Sequence, residues 1–246
     1  MTTDLNCSRC EKAQDLCVCE SIRPLKTRLH VLILQHPQEP DKDLGSARIA
    51  HLALPNSTLK IGLSWPNLKA ALGKEAVPSR WAVLYLGSGV KLNGPPATKP
   101  PVLQFVDKKG MLVDQPITQK DLDGIVVLDG TWSQAKALWW RNAWLLKLKR
   151  VVLNSPNKSL YKELRKEPRR ECLSTIESIA ETLEALKEPA ETGAGLKKVF
   201  GSLLDKRREL TKKQKEARRT ARASQNHSKE SAQKSAQNAP EEKSGE

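Results

Sequence analysis

Asp129, Gly130, Thr131 and Trp132 follow directly on an apolar run at 125–128. If that run is a buried strand, the Asp129 carboxylate stands at its carboxyl end, the edge where α/β sheets take their ligands. Thr131 is a good N-cap and Gln134, three residues on, completes a capping box, so a helix begins beside the carboxylate. The unpaired N–H groups of that helix start suit a carboxylate or a phosphate. Gly130 lets a ligand come close to the backbone, and Trp132 offers a flat face on which a base can stack. A plainer reading uses the same residues: Asp129 helps to cap the helix and Trp132 packs in the core. The four residues alone do not separate the two readings.

A second group is chemical by composition. Cys7-x-x-Cys10 and Cys17-x-Cys19 hold four of the five cysteines within thirteen residues. A CxxC turn aims two thiolates at one point, and a second close pair completes a tetrahedral sulfur site for zinc. An iron–sulfur cluster and a pair of redox dithiols are the competing uses. A closed four-sulfur site has no open position, so its metal is structural and holds together a segment too short to build a core. Cys172 has no partner in the sequence and is expected to be a buried or half-buried free thiol rather than a reactive one.

The elements that must position these groups follow from hydrophobic patterning. Short, nearly continuous apolar runs at 29–35, 81–86, 102–106, 125–128 and 150–153 read as strands buried on both faces. Helical patterns fall at 46–54, at 131–146 and at 174–186. In the second, Trp132, Ala135, Trp139, Ala143 and Leu146 share a face. In the third, Ile176, Ile179, Ala180 and Leu183 do so, after a capping box of Ser174 and Glu177. Strands alternating with helices predict an α/β layer with a largely parallel sheet. The stretch at 93–101 carries four prolines and is expected to be a surface loop. Three zones result: a cysteine module at 1–24, the α/β domain at 25–190, and from about 205 to 246 a polar, low-complexity tail expected to be disordered.

Charge narrows the partners. The chain carries 42 Lys and Arg against 28 Asp and Glu, a formal net charge of +14. A polyanion is the simplest partner for that excess. Ten Lys and Arg against two Glu fall between Lys206 and Lys229, which suits salt-sensitive, sequence-independent contact with nucleic acid. A solubilising tail is the plainer alternative. Residues 161–170 combine Tyr161 with Arg165, Arg169 and Arg170, suited to a phosphate backbone or simply to a solvated loop. No apolar run approaches the roughly 18 to 20 residues that span a bilayer. The opening residues lack the basic-then-apolar order of a secretory signal. A cytoplasmic protein without a membrane role is therefore expected, its thiols reduced.

In order along the chain, the four cysteines, Gln35-His36-Pro37-x-Glu39, Asp129 to Ala135 (DGTWSQA), Tyr161 with Leu164-Arg165, and Leu173 to Glu177 (LSTIE) form a pattern that resembles the DTW-domain family of tRNA-uridine aminocarboxypropyltransferases. The resemblance spans residues 7 to about 187 and leaves out the basic tail. It implies transfer of the 3-amino-3-carboxypropyl group of S-adenosylmethionine to N3 of a tRNA uridine, with release of 5′-methylthioadenosine. For bacterial members the target is the variable-loop uridine at tRNA position 47. It also implies a SPOUT-like core with a knotted cofactor site. On this reading Asp129 acts as general base at N3 or holds the methionine amino group, and Trp132 walls the pocket or stacks on the target base. Gly130, Thr131, Thr175 and Glu177 contact the cofactor, Arg165, Arg169 and Arg170 grip phosphates, and Cys7, Cys10, Cys17 and Cys19 bind zinc. The family often has a threonine-containing turn after Glu39; here the stretch reads Asp43-Leu44-Gly45-Ser46-Ala47-Arg48, which leaves any ligand contact there open. An RNA methyltransferase using the same cofactor, and a non-catalytic zinc-containing RNA-binding protein, are the two rival readings.

Overall fold

A computed structural model of the chain describes residues 6–40, 42–84, 102–107, 109, 111–113, 117–161, 164 and 173–237. The chain divides into two compact units, 1–204 and 205–246. The first is built on a six-stranded sheet of β1 (His30–Gln35), β2 (Ser57–Ile61), β3 (Trp81–Leu84), β4 (Leu103–Val106), β5 (Gly124–Asp129) and β6 (Lys149–Leu153). The strand order is β2-β1-β5-β3-β6-β4. Every pairing is parallel except β4 with β6. The largely parallel α/β sheet expected from the sequence is therefore present. The strand at 57–61 was not legible: STLKI is half-exposed along its length, as befits an edge strand, and shows no apolar run. The proline-rich stretch at 93–101 lies outside the described residues.

Both faces of the sheet are covered, as its apolar central strands require. One face packs Leu32, Leu34, Val83, Val126 and Leu128 against Leu68 and Leu72 of α2 (Leu68–Leu72), Ala135 and Leu138 of α3 (Trp132–Arg141), and Trp144 and Leu145 beyond it. The alternate residues Val31, Ile33, Ile125 and Val127, also buried, point to the other face. There β1 and β5 meet α1 (Ala47–Ala53) and α4 (Thr175–Ala185).

The third helix differs from its predicted form, and Asn142 is the reason. The predicted helix to 146 stops at Arg141, and a 3₁₀ turn follows at Ala143–Lys147. Asn142 is fully buried. Its Nδ2 donates to the carbonyls of Leu138 (2.7 Å) and Leu63 (3.0 Å), while its Oδ1 accepts from the Trp65 amide (2.8 Å) and Trp144 Nε1 (3.2 Å). The break re-phases the helix, so the buried side chains are Ala135, Leu138, Trp144 and Leu145. Trp132 and Leu146, placed on the core face by periodicity, stay 37% and 42% exposed. Asn142→Ala would strand several buried partners at once, and is expected to lower stability by about 3 kcal/mol. Urea denaturation checks this, with a shifted midpoint and an unchanged slope expected.

The long final helix α5 (Ala190–Gln237) replaces the disorder expected from about residue 205. Its first turns bury Leu196, Val199, Phe200, Leu203 and Leu204, which supplies a packed start. Beyond Gly201 no Gly or Pro interrupts it before its end, and Lys, Arg, Ala, Gln and Glu dominate. A started helix of such residues propagates readily. Among the described residues no helix is long and apolar enough to cross a membrane.

Candidate active site

The carboxyl edge of β1 and β5 is the chemical centre of the fold. The two strands pair in register so that Gln35 lies opposite Asp129. Both are the last residues of otherwise apolar strands, and both are buried. Gln35 Nε2 donates to Asp129 Oδ2 at 2.8 Å. Thr175 Oγ1, at the start of α4, donates to Asp129 Oδ1. The carboxylate thus points to the sheet face covered by α1 and α4, away from α3. Thr131 and Gln134 cap α3 without it: the Thr131 amide donates to Gln134 Oε1 (2.7 Å) and the Gln134 amide to Thr131 Oγ1 (3.4 Å). The reading of Asp129 as a helix cap is removed.

Burial pushes the Asp129 carboxyl above its ordinary range. The hydrogen bonds from Thr175 and Gln35 pull the other way, and the Glu39 charge adds to the rise. A raised carboxyl at the carboxyl edge of a parallel sheet makes Asp129 a candidate general base.

Glu39 stands in the non-helical segment that follows β1 and is itself 6% exposed, ion-paired with Lys42. Lys12, from the cysteine module, is 5% exposed and donates from Nζ to the Lys42 carbonyl at 2.5 Å. Burial holds its ammonium below the usual lysine range. Sequence reasoning named Gln35 and Glu39 only as members of the family pattern, without a role, and did not single out Lys42 or Lys12. A polar residue closing an apolar strand was the available signal for Gln35; for Lys12 there was none, because only the tertiary fold brings it here.

The other expected site residues fall into distinct settings. Gly130 is required by its own cap, since a Cβ there would lie 2.8 Å from Gln134 Cβ. Trp132 is the first residue of α3 and keeps 37% of its surface exposed. The Glu177 carboxylate is buried and takes four donors: the Ser174 amide (2.9 Å) and hydroxyl (2.6 Å), the Ser159 hydroxyl (3.0 Å) and the Leu160 amide (2.6 Å). It both caps α4 and ties down the segment before Tyr161. Arg165, Arg169, Arg170 and Cys172 lie outside the described residues. Among the described residues, one surface concavity of about 300 Å³ is lined by Ser79, Asp107 and Lys149 and another of the same size by Arg23, Leu25 and Gly195. Neither includes Asp129; the candidate site rests on its hydrogen-bonded carboxylate.

The four cysteines come together. Their sulfurs all lie within 4.8 Å of one another, with Cys7 to Cys19 at 3.7 Å and Cys10 to Cys17 at 3.8 Å. Tetrahedral zinc with Zn–S bonds of about 2.3 Å sets sulfurs about 3.8 Å apart. The donor set therefore fits a closed four-thiolate metal site. Backbone N–H donors from Cys10 and Arg9 bring the Cys7 thiol down to about 6, while burial raises the thiols of Cys17 and Cys19.

The DTW domain matches residues 4–208. Proteins named tRNA-uridine aminocarboxypropyltransferase 2 are similar to the chain. That of Macaca fascicularis is 30% identical over 184 residues, covering 74% of this chain and 56% of the relative. That of Mus musculus is 30% identical over 186 residues with the same coverage. That of Drosophila melanogaster is 28% identical over 191 residues, 75% of this chain and 68% of the relative. The chain thus spans just over half the length of the two mammalian relatives. No solved structure matches it.

Proposed function

The chain belongs to the DTW domain family, and on that premise we propose that it transfers the 3-amino-3-carboxypropyl group of S-adenosylmethionine to N3 of a tRNA uridine, at position 47 of the variable loop. The observation that carries the reading is the buried Asp129 carboxylate, held by Gln35 and Thr175 at the carboxyl edge of a parallel sheet, within a chain similar to enzymes bearing that name.

In this mechanism Asp129 takes the N3 proton of the uridine. The freed N3 lone pair attacks the γ-carbon of the methionine moiety in line with the sulfur. The Cγ–S bond breaks and its electrons return to sulfur, so the positive charge is lost and 5′-methylthioadenosine leaves. The sulfonium is already reactive, and the protein's main contribution is positioning. Trp132 stacks on a uridine splayed out of the RNA. Gly130 and Thr131 offer hydrogen bonds at the start of α3, and Thr175 orients the base. Glu177 serves the cofactor indirectly by fixing the start of α4. Arg165, Arg169 and Arg170 hold phosphates. A SPOUT-like knotted cofactor site belongs to the same reading; its support is the return of the α4 start to the end of β5, where Thr175 meets Asp129. Zinc is the metal that the four thiolates hold, and it supplies structure rather than chemistry.

The basic part of α5 extends the grip on RNA. Lys212, Lys215, Arg218 and Arg219 are exposed, and at about 100° per residue they fall within an arc of about 120°. Replacing all four with glutamine is expected to weaken tRNA binding and to flatten the dependence of log K on log salt by about 3 units. Filter binding across a salt series measures it, and an unchanged slope would remove α5 from the interface.

The transfer itself is tested with two preparations of S-adenosylmethionine, one labelled in the carboxyl carbon and one in the sulfur-bound methyl. The proposal requires the carboxyl label to enter tRNA and the methyl label to leave as methylthioadenosine. Methyl label in the RNA supports a methyltransferase instead, and no label in either preparation supports a binding protein.

A further inference from the structure

The cysteine module does more than fold itself. Backbone hydrogen bonds from the Cys7 amide to the Lys12 carbonyl (2.7 Å) and from the Glu11 amide to the Cys7 carbonyl (2.8 Å) close a tight knuckle around the first two thiols. Glu11 holds a left-handed backbone, φ 59°, a conformation a glutamate keeps only where its surroundings impose it. The two residues that follow Cys10 leave this knuckle for adjoining parts of the chain, α1 and the segment before it. Glu11 pairs with Arg48 of α1 at 2.7 Å. Lys12 runs inward, nine-tenths buried, to the Lys42 carbonyl.

That carbonyl belongs to the segment at 36–46 between β1 and α1, whose described residues, 36–40 and 42–46, form turns rather than a regular element. The segment begins one residue after Gln35, carries Glu39 beside Asp129, and ends at Ser46, whose hydroxyl accepts from the Ile176 amide next to Thr175 (3.2 Å). It therefore touches the Asp129 site at both ends. Gly45 makes room for the clamp: a Cβ there would lie 3.1 Å from the Lys42 carbonyl oxygen and 3.3 Å from Lys12 Nζ. A lysine ammonium is costly to bury, and here the Lys42 carbonyl accepts from it while the charges of Asp43, Asp129 and Glu11 favour it.

We propose that Lys12 is a positioning residue of the Asp129 site, through which the metal-loaded cysteine knuckle fixes the 36–46 segment and thereby sets the affinity for the donor. The inference rests on the function proposed above. It makes the four-cysteine site a control on donor binding, and not only a staple of the N-terminal segment.

The test uses the full-length, metal-loaded protein with Lys12→Met and Lys12→Arg. Amide exchange is read by mass spectrometry, and S-adenosylmethionine is titrated calorimetrically without tRNA. Lys12→Met is expected to speed exchange across 36–46 about tenfold, with β1 and β5 still protected, and to weaken donor binding about tenfold. Lys12→Arg, which restores a cationic donor, is expected to recover most of both. Removing the metal from the wild-type protein with a chelator is expected to loosen the same segment. Should Lys12→Met not fold, Gly45→Ala leaves the knuckle sequence intact and displaces the ammonium, with the same loosening expected. Wild-type exchange at 36–46 in Lys12→Met or Gly45→Ala overturns the proposal, as does wild-type donor affinity in a variant whose segment is loosened. An unchanged segment after metal removal overturns the link to the metal. If the wild-type protein itself does not bind the donor, the parent function fails, while the exchange data still report on the clamp.

Discussion

Asp129→Asn is expected to lower kcat/KM by two to four orders of magnitude, the range typical of a lost general base, while leaving the fold intact. The geometry makes this a clean substitution. Asparagine keeps an oxygen to accept from Thr175, and its amide can donate to Gln35 once the Gln35 side-chain amide turns over. Circular dichroism should match the wild type, and thermal melting at neutral pH should not fall below it. The carboxylate is a cost to the fold when ionised: its folded value lies above the ordinary 3.8, so the native state holds the proton more tightly than the unfolded chain. Stability contributed by this group is present below the unfolded value and is lost as pH rises through the folded one. Activity runs the opposite way. The ionised form is the base, so kcat/KM should fall as pH drops through the raised value, giving an acid limb above the usual carboxylate range. That limb should be absent from the residual activity of Asp129→Asn. A variant with wild-type activity would remove Asp129 from the chemistry.

Cys10→Ser should have the largest effect on stability. Cys10 is 1% exposed and Leu16, Val18 and Ile22 are the other buried apolar residues of this segment, a core too small to hold residues 6–22 without a metal. The substitution is expected to reduce bound zinc well below one per chain and to lower stability by about 3 to 5 kcal/mol. At about 2 to 4 °C per kcal/mol for a domain of this size, the melting temperature should fall by roughly 6 to 20 °C. Elemental analysis and calorimetry measure the two together. A variant that loses the metal and melts like the wild type would show that the knuckle stands without it.

What the sequence made legible depended on whether the signal was local. Strands β1, β3 and β5, buried along most of their length, and β6, buried at Val151 and Val152, appear as apolar runs. The edge strand β2 meets solvent and leaves no such trace. The caps of α3 and α4 each lie within four residues and were readable, Thr131 with Gln134 and Ser174 with Glu177. The end of α3 was not, because it depends on Asn142 reaching Leu63 and Trp65, almost eighty residues away. In the same way, Asp129 could be placed at a strand end, but not its partners. Gln35 reaches it only through the β1–β5 register, and Thr175 only through the return of α4. Lys12 was hidden by its setting in a cysteine module whose metal explained the segment well enough. The basic run after residue 205 was visible as charge; its helical form follows from the packed turns that precede it.

The central claim concerns which carbon of the donor is transferred, and nucleoside mass spectrometry of unmodified tRNA after incubation with purified protein and S-adenosylmethionine tests it most directly. The account predicts a uridine heavier by one aminocarboxypropyl group, mapped to the variable loop and absent with Asp129→Asn. A uridine heavier by one methyl group, or tRNA left unmodified by the folded, metal-loaded protein, would contradict it.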